Sequence, residues 1–327
     1  MTPNNRGVLL ALAAFAVFAT HDAIIKHLGG AYSPFQIVFF SVLFGFPLVT
    51  FLMMRDAVAG TLIPVHPWWT VARTLAVVVT ASAAFHAFTT LPLAQVYAIL
   101  FAAPLLITLL AIPILGERVG LRRGLAVMAG LGGVMVVLRP GATDLSLGHL
   151  AALTAAVCGA VASVVMRKIG RDERSVVLIL YPMVANVVLT GAIMPFVYVP
   201  MPGPDLALLA VIAALALAGT HLLIFAYRLA PAATVAPMQY SQIIWAAAFG
   251  ALFFDEGLDL ATLLGTAIIV ASGLYIVFRE DRGGRSATTP VLRTRSRIAS
   301  PASPRVSALL HAAQSGDPAR APASDAD

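Results

Sequence analysis

Two stretches of this chain, 91–139 and 230–279, follow one plan, and both are built almost wholly of residues that dissolve in hydrocarbon. The first runs Leu91-Pro92-Leu93-Ala94, an apolar stretch, Gly116-Glu117-Arg118 and a second apolar stretch. The second runs Ala230-Pro231-Ala232-Ala233, an apolar stretch, Asp255-Glu256-Gly257 and another ending at Phe278-Arg279. The segments before them align as well: Gly7, Ala11, Leu12, Ala14, Ala19, Lys26 and Gly29 match Gly148, Ala152, Leu153, Ala155, Ala160, Arg167 and Gly170. Duplication of an apolar, many-helix unit is the pattern of a membrane transporter built from two repeats.

Composition sets the solvent. Hydrophobic residues make up 60% of the chain and charged residues only 11%, against about 25% charged in a soluble domain. So little charge cannot cover a surface in water, which makes the lipid bilayer the main partner. The single cysteine, Cys158, sits in an apolar segment and excludes a disulfide framework. The net charge of +6 does not imply nucleic acid, because the basic residues gather in short loops and near the C-terminus.

A helix needs about 20 apolar residues to cross the hydrocarbon core. Cutting at charges, Pro and Gly predicts an all-α polytopic fold of ten spans: 7–27, 34–54, 69–90, 93–115, 121–138, 148–167, 175–198, 206–228, 232–254 and 260–278. Five spans per repeat is an odd number, so the second copy, 146–279, is expected to lie inverted relative to the first, 7–141. With both termini in the cytoplasm, the inner side holds Arg6, Arg55, Arg118, Arg122, Arg123, Arg167, Lys168, Arg171, Arg174 and Arg228. The outer side holds only Lys26 and Arg139, in keeping with the positive-inside rule. The match of 7–29 to 148–170 leads to the expectation that the first span is a retained helix of the repeat, although Arg6 and the apolar run ending near Ala19 resemble a leader. Residues 280–327, rich in Ser, Pro, Ala and Arg, read as a disordered cytoplasmic tail.

Polar groups inside a membrane are costly, so each needs a reason. Asp22 and Lys26 lie four apart on the first span and read either as a structural ion pair or, with His21, as groups lining a cavity. Arg73, near the inner end of the third span, either snorkels to the interface or serves as a gate or anion-binding group. His86 and His221 are deep enough to face a cavity or to pack. The fourth span carries Gln95, Tyr97 and Pro104, and the ninth carries Pro237, Gln239, Tyr240, Gln242 and Trp245. A proline frees a carbonyl within a span, and interrupted segments in corresponding positions of two halves point to a binding site. Aromatic rings beside amides suit a flat or amphipathic organic solute better than a bare ion.

Glu117 and Glu256 are expected to favour the N-termini of the helices that follow them. The four-residue spacing of Ala126 with Gly130 and Ala129 with Gly133 in the fifth span, and of Ala267 with Ala271 in the tenth, marks packing or homodimer faces. No phosphate-cradling Gly-rich loop, His-Glu-x-x-His or nucleophile elbow occurs, so no catalytic residue, metal or cofactor is expected and the chain does not read as an enzyme.

Leu91-Pro92-Leu93-Ala94, Gly116-Glu117-Arg118 and Leu138-Arg139-Pro140-Gly141 resemble the EamA family of the drug/metabolite transporter superfamily across roughly 7–279. That resemblance implies ten helices, cytoplasmic termini and a central cavity lined by spans 1, 3, 4, 6, 8 and 9. His21-Asp22-Ala23-Ile24-Ile25-Lys26, followed by Pro34-Phe35-Gln36, is similar to the branch of riboflavin and S-adenosylmethionine uptake carriers, many of which have an arginine where this chain has Ser41. The expectation is therefore a secondary carrier of a small organic metabolite in the bacterial inner membrane, with riboflavin-type uptake as its specific form. The alternatives are export of amino acids or other metabolites, and a non-transporting membrane component.

Overall fold

The computed structural model describes residues 3–55, 62–117, 119–141, 145–170 and 172–282, and every regular element among them is helical apart from one isolated bridge residue, Pro140. In chain order the helices are α1 (Pro3–Gly29), α2 (Pro34–Arg55), α3 (Pro67–Thr90), α4 (Leu93–Leu100), α5 (Ala103–Leu115), α6 (Leu121–Leu138), α7 (Leu147–Ile169), α8 (Ser175–Val197), α9 (Gly203–Leu229), α10 (Ala232–Val235), α11 (Gln242–Phe253) and α12 (Leu260–Arg282). A six-residue 3-10 turn, Ala236–Ser241, joins α10 to α11. Among the described residues, eight helical segments are long and apolar enough to cross a membrane, and Pro34–Thr50 is a shorter apolar helix. The expected tail beyond residue 282 lies outside the described residues, and α12 runs through Arg282 into its first positions.

Proline explains the interruptions. Pro104, in the first turn of α5, has no N–H to give, and the chain tightens at Phe101 and Ala102 just before it. Pro237 sits inside the 3-10 turn of the matching segment, 232–253. Each of the two expected breaks lies beside a proline, although the two prolines do not align between the repeats.

The three most extensive helix pairings are α1 on α9, α3 on α7, and α6 on α12. The first two meet through matched glycines. A β-carbon at Gly7 would lie 2.5 Å from that of Ala230, just past the end of α9, so the start of α1 lies against the end of α9. A β-carbon at Gly148 would lie 2.4 Å from Thr90 Oγ1 and 2.8 Å from Leu91 Cγ, so the start of α7 lies against the end of α3. At α6 and α12 the backbones themselves touch: a β-carbon on Gly265 would come within 2.7 Å of the Gly133 carbonyl oxygen. Gly130 and Gly133 thus face α12 within the chain, while Ala129, Ala267 and Ala271 point outward.

Polar ties fasten the ends. The Gln36 amide, fully buried, donates to the Val199 carbonyl at 2.7 Å and accepts the Val199 N–H at 2.9 Å. The Tyr32 hydroxyl donates to Asp205 Oδ2 at 2.5 Å. That bond, with burial and the carboxylate charge, pushes the Tyr32 phenol above its ordinary value of 10.0. Because the folded value is raised, the tie stabilises fully below the ordinary phenol range and fades as pH climbs through the raised value.

Two outcomes follow from this packing. Gly265→Val is expected to lower the melting temperature of detergent-purified protein, at a cost of about 1–3 kcal/mol. Gly124→Val does not lower it, since nothing lies within 4 Å of a β-carbon there. In an ultraviolet pH titration, the difference between wild type and Tyr32→Phe should show one phenolate appearing later than exposed tyrosine; ionisation at the ordinary value would contradict the tie.

Candidate functional site

The polar centre of the molecule is built on Asp22. Position 22 falls on the inward face of α1, and its side chain is fully buried. A bare carboxylate there would cost several kcal/mol in lost hydration, so its oxygens are both engaged. His21 Nδ1 lies 2.7 Å from Oδ1, and the Tyr97 hydroxyl donates to Oδ2. The Gln242 amide then donates to the Tyr97 oxygen at 3.3 Å. This chain of four buried groups links α1, α4 and α11. The His21–Asp22 contact favours the imidazole tautomer with its proton on Nδ1.

His21 also lines a small, partly open pocket between α1, α2, α3 and α9. Its ring stands edge-on to Phe85, with centroids 6.2 Å apart. Val42, Val49, Ile212 and Leu217 supply apolar wall, and Ser41 is the second polar lining residue. Ser41 is 7% exposed, and among the described residues its hydroxyl has no hydrogen-bond partner. The cavity therefore differs from the expected lining. Span 2 contributes five of its residues, while spans 4, 6 and 9 contribute none; Tyr97 of span 4 is spent on Asp22, and Gln242 of span 9 on Tyr97.

Lys26 does not pair with Asp22, which corrects one reading of the first span. Its ammonium reaches past the helix end to Glu256 Oε1 and to the Leu91 carbonyl, each at 2.6 Å. It also lies 5.4 Å from the centre of the Phe254 ring. Asp22, one turn earlier, already has both oxygens occupied. Glu256 and Glu117 likewise do more than favour helix ends: Glu256 Oε2 accepts the Leu93 N–H at 2.9 Å, and Glu117 takes the Arg167 guanidinium.

The remaining predicted residues lie outside this network. Arg73 turns inward instead of snorkelling, and its Nη1 donates to the Leu178 carbonyl at 2.5 Å. Gln95 meets His149 Nε2 at 3.0 Å, and His149 in turn caps α7 through Ser146. Tyr240 packs edge-on to Phe101 with centroids 5.0 Å apart, near the network but not in it. His221 Nδ1 is 2.9 Å from the Leu217 carbonyl on its own helix, and His86 is half-buried outside the cavity, as is Gln239. Trp245 is 37% exposed: the buried face of α11 runs through Gln242, Ala246 and Gly250, leaving Trp245 outside.

Sequence reasoning missed the cross-repeat ion pairs. The signal was present, since Lys26 aligns with Arg167 and Glu117 with Glu256. His149 gave no signal, because a polar residue in a first turn looks like ordinary capping.

Tyr97→Phe keeps the ring and removes one bond to a buried carboxylate. It should destabilise the protein by about 1.5–3 kcal/mol in denaturation, whereas Trp245→Phe should leave stability unchanged. Equal effects would show that the hydroxyl is not what holds Asp22.

Comparison with known proteins bears on what such a site serves. An S-adenosylmethionine uptake transporter of Rickettsia felis is 24% identical over 268 residues, 81% of this chain and 90% of that protein. The pseudopaline exporter CntI of Pseudomonas aeruginosa is 28% identical over 81% of this chain and 94% of its own length. A riboflavin transporter of Rhizobium johnstonii is 27% identical over 67% of this chain and 73% of its own. One solved crystal structure matches with a TM-score of 0.57 at 17% identity, covering 86% of this chain and 98% of its own, which speaks to the fold alone. Residues 5–139 and 146–278 each match the EamA-like transporter family. With apolar helices of spanning length and both halves matched, the chain is an integral membrane protein that belongs to the EamA-like transporter family.

Proposed function

We propose that this protein is a secondary carrier that moves a small organic metabolite across the bacterial inner membrane by alternating access. In this reading its ten spans form two inverted five-helix repeats, with both termini in the cytoplasm. Support for the inversion comes from the packing. Exchanging the repeats turns the α1–α9 contact into the α7–α3 contact, and it maps α6–α12 and α2–α8 onto themselves. Matched contacts of this kind supply two near-equivalent arrangements between which a carrier can rock.

The observation that carries the reading is His21, which touches the cavity on one side and the buried Asp22–Tyr97–Gln242 chain on the other. Solute pockets are mostly apolar with a few placed polar groups. Here those groups are the His21 imidazole and the Ser41 hydroxyl. They suit a flat or amphipathic body carrying a hydrogen-bonding group.

Riboflavin is the solute to test first, because a relative bears that name. Uptake of labelled riboflavin into protein-containing vesicles is expected to exceed that of empty vesicles. No excess would remove riboflavin and leave the carrier class to a wider panel. His21→Ala should lower exchange of the transported solute about tenfold, the loss expected for one hydrogen bond of roughly 1.4 kcal/mol, at undiminished membrane abundance. Unchanged kinetics would take His21 out of the site. Export is the second reading, favoured by the relative named as an exporter.

A further inference from the structure

The two ion pairs between the repeats are one device used twice. At one end of the bundle Lys26, on α1, holds Glu256 in the turn before α12. At the other Arg167, on α7, holds Glu117 in the turn before α6. Each cation occupies the same place in its repeat, and so does each glutamate. Both pairs cross from one repeat to the other, in opposite senses.

The turns that present the glutamates also match. Gly116 and Asp255 both take positive φ, 69° and 52°. The next residue, Glu117 or Glu256, then donates its N–H to the carbonyl six residues earlier, at 3.3 Å to Ala111 and 3.0 Å to Gly250. A non-glycine residue in that region costs energy, so the second turn keeps this shape even where Asp255 makes it unfavourable.

The pairs lie at opposite ends. Lys26 bonds the Leu91 carbonyl just past the end of α3, and the start of α7 meets that same end at Gly148. Arg167 is 19 residues further along α7, roughly 28 Å away at the helical rise per residue. All four side chains are shielded, with 12% and 15% exposure at the Lys26 pair and 9% and 7% at the Arg167 pair. Charges this sheltered are only weakly screened by salt.

From this arrangement we infer that Lys26–Glu256 and Arg167–Glu117 are the latches of the two mouths of the solute path, and that they break in alternation. The inference rests on the carrier reading and adds to it the residues that close each end. Rocking one repeat against the other at the Lys26 end pulls α1 from the turn before α12. The same motion leaves the Arg167 end shut. Both latches are closed in this structure. They are not equally secured: Leu91 and Leu93 add bonds at the Lys26 end, whereas Arg167 Nη1 and Glu117 Oε2 have no hydrogen-bond partner among the described residues. The Arg167 end is the one that opens more readily.

Cysteine reporters test this on the full chain in vesicles. Phe254→Cys and Leu115→Cys, each made in a Cys158→Ser background, place a thiol just before the equivalent turns. Labelling by a membrane-impermeant maleimide, added from either side, reads how open each end is. Glu256→Gln is expected to speed labelling at position 254 by about fivefold or more, the size of a modest coupling between sites, and to slow it at position 115. Glu117→Gln should do the reverse with a smaller change, and exchanging the charges with Lys26→Glu plus Glu256→Lys should restore the wild-type pattern. If either glutamine variant speeds both reporters or neither, or if the charge exchange fails to restore the pattern in protein that elutes normally on gel filtration, the latches are refuted. Reciprocal labelling in a protein that moves no solute would sink the carrier reading and leave the latches standing; solute flux without reciprocity would do the opposite.

Discussion

Hydrocarbon offers no hydrogen bonds, and that requirement governs this structure more than any single contact. Backbone groups meet it by forming helices. Charged side chains meet it by finding partners within the protein: Asp22 with the neighbouring His21 and with Tyr97, Lys26 with Glu256, Arg73 with the Leu178 carbonyl, Arg167 with Glu117. Taking one partner from such a pair leaves a buried charge, at a cost of about 3–5 kcal/mol. Chain segments far apart in sequence are thereby tied together at chosen depths. The apolar faces supply the bulk of the packing, while these few polar ties set which helix lies beside which and in what register.

The same requirement separates two kinds of polar group. Most are fully spent within the protein, as Gln36 is on Val199. Ser41 and His21 are different, because they border a cavity.

The helical architecture was legible because its signals are long-range averages. Twenty-residue apolar runs, the positions of Pro104 and Pro237 and the small residues at Gly130 and Gly133 all led to elements the structure contains. Side-chain pairing was not legible in the same way. Asp22 and Lys26 are one helical turn apart and look like partners, yet Lys26 has a longer reach and finds Glu256, 230 residues later. Trp245 looked like a site residue from its neighbours, but the rotation of α11, set by packing at Gln242 and Ala246, turns it outward. Helix rotation follows from contacts between spans, and periodicity was weak because these helices are apolar nearly all round. The cross-repeat pairs were written into the repeat alignment, as matched charges at matched positions.

Two copies of one unit facing opposite ways is the claim on which the carrier mechanism stands. The most direct test is sidedness in intact cells, using a membrane-impermeant maleimide and single cysteines at Gly30, after α1, and at Asp172, after α7, in a background without Cys158. These are equivalent loops of the two repeats. The account predicts that Gly30→Cys is labelled from outside and Asp172→Cys only after the cells are opened. Labelling of both from the same side would contradict it.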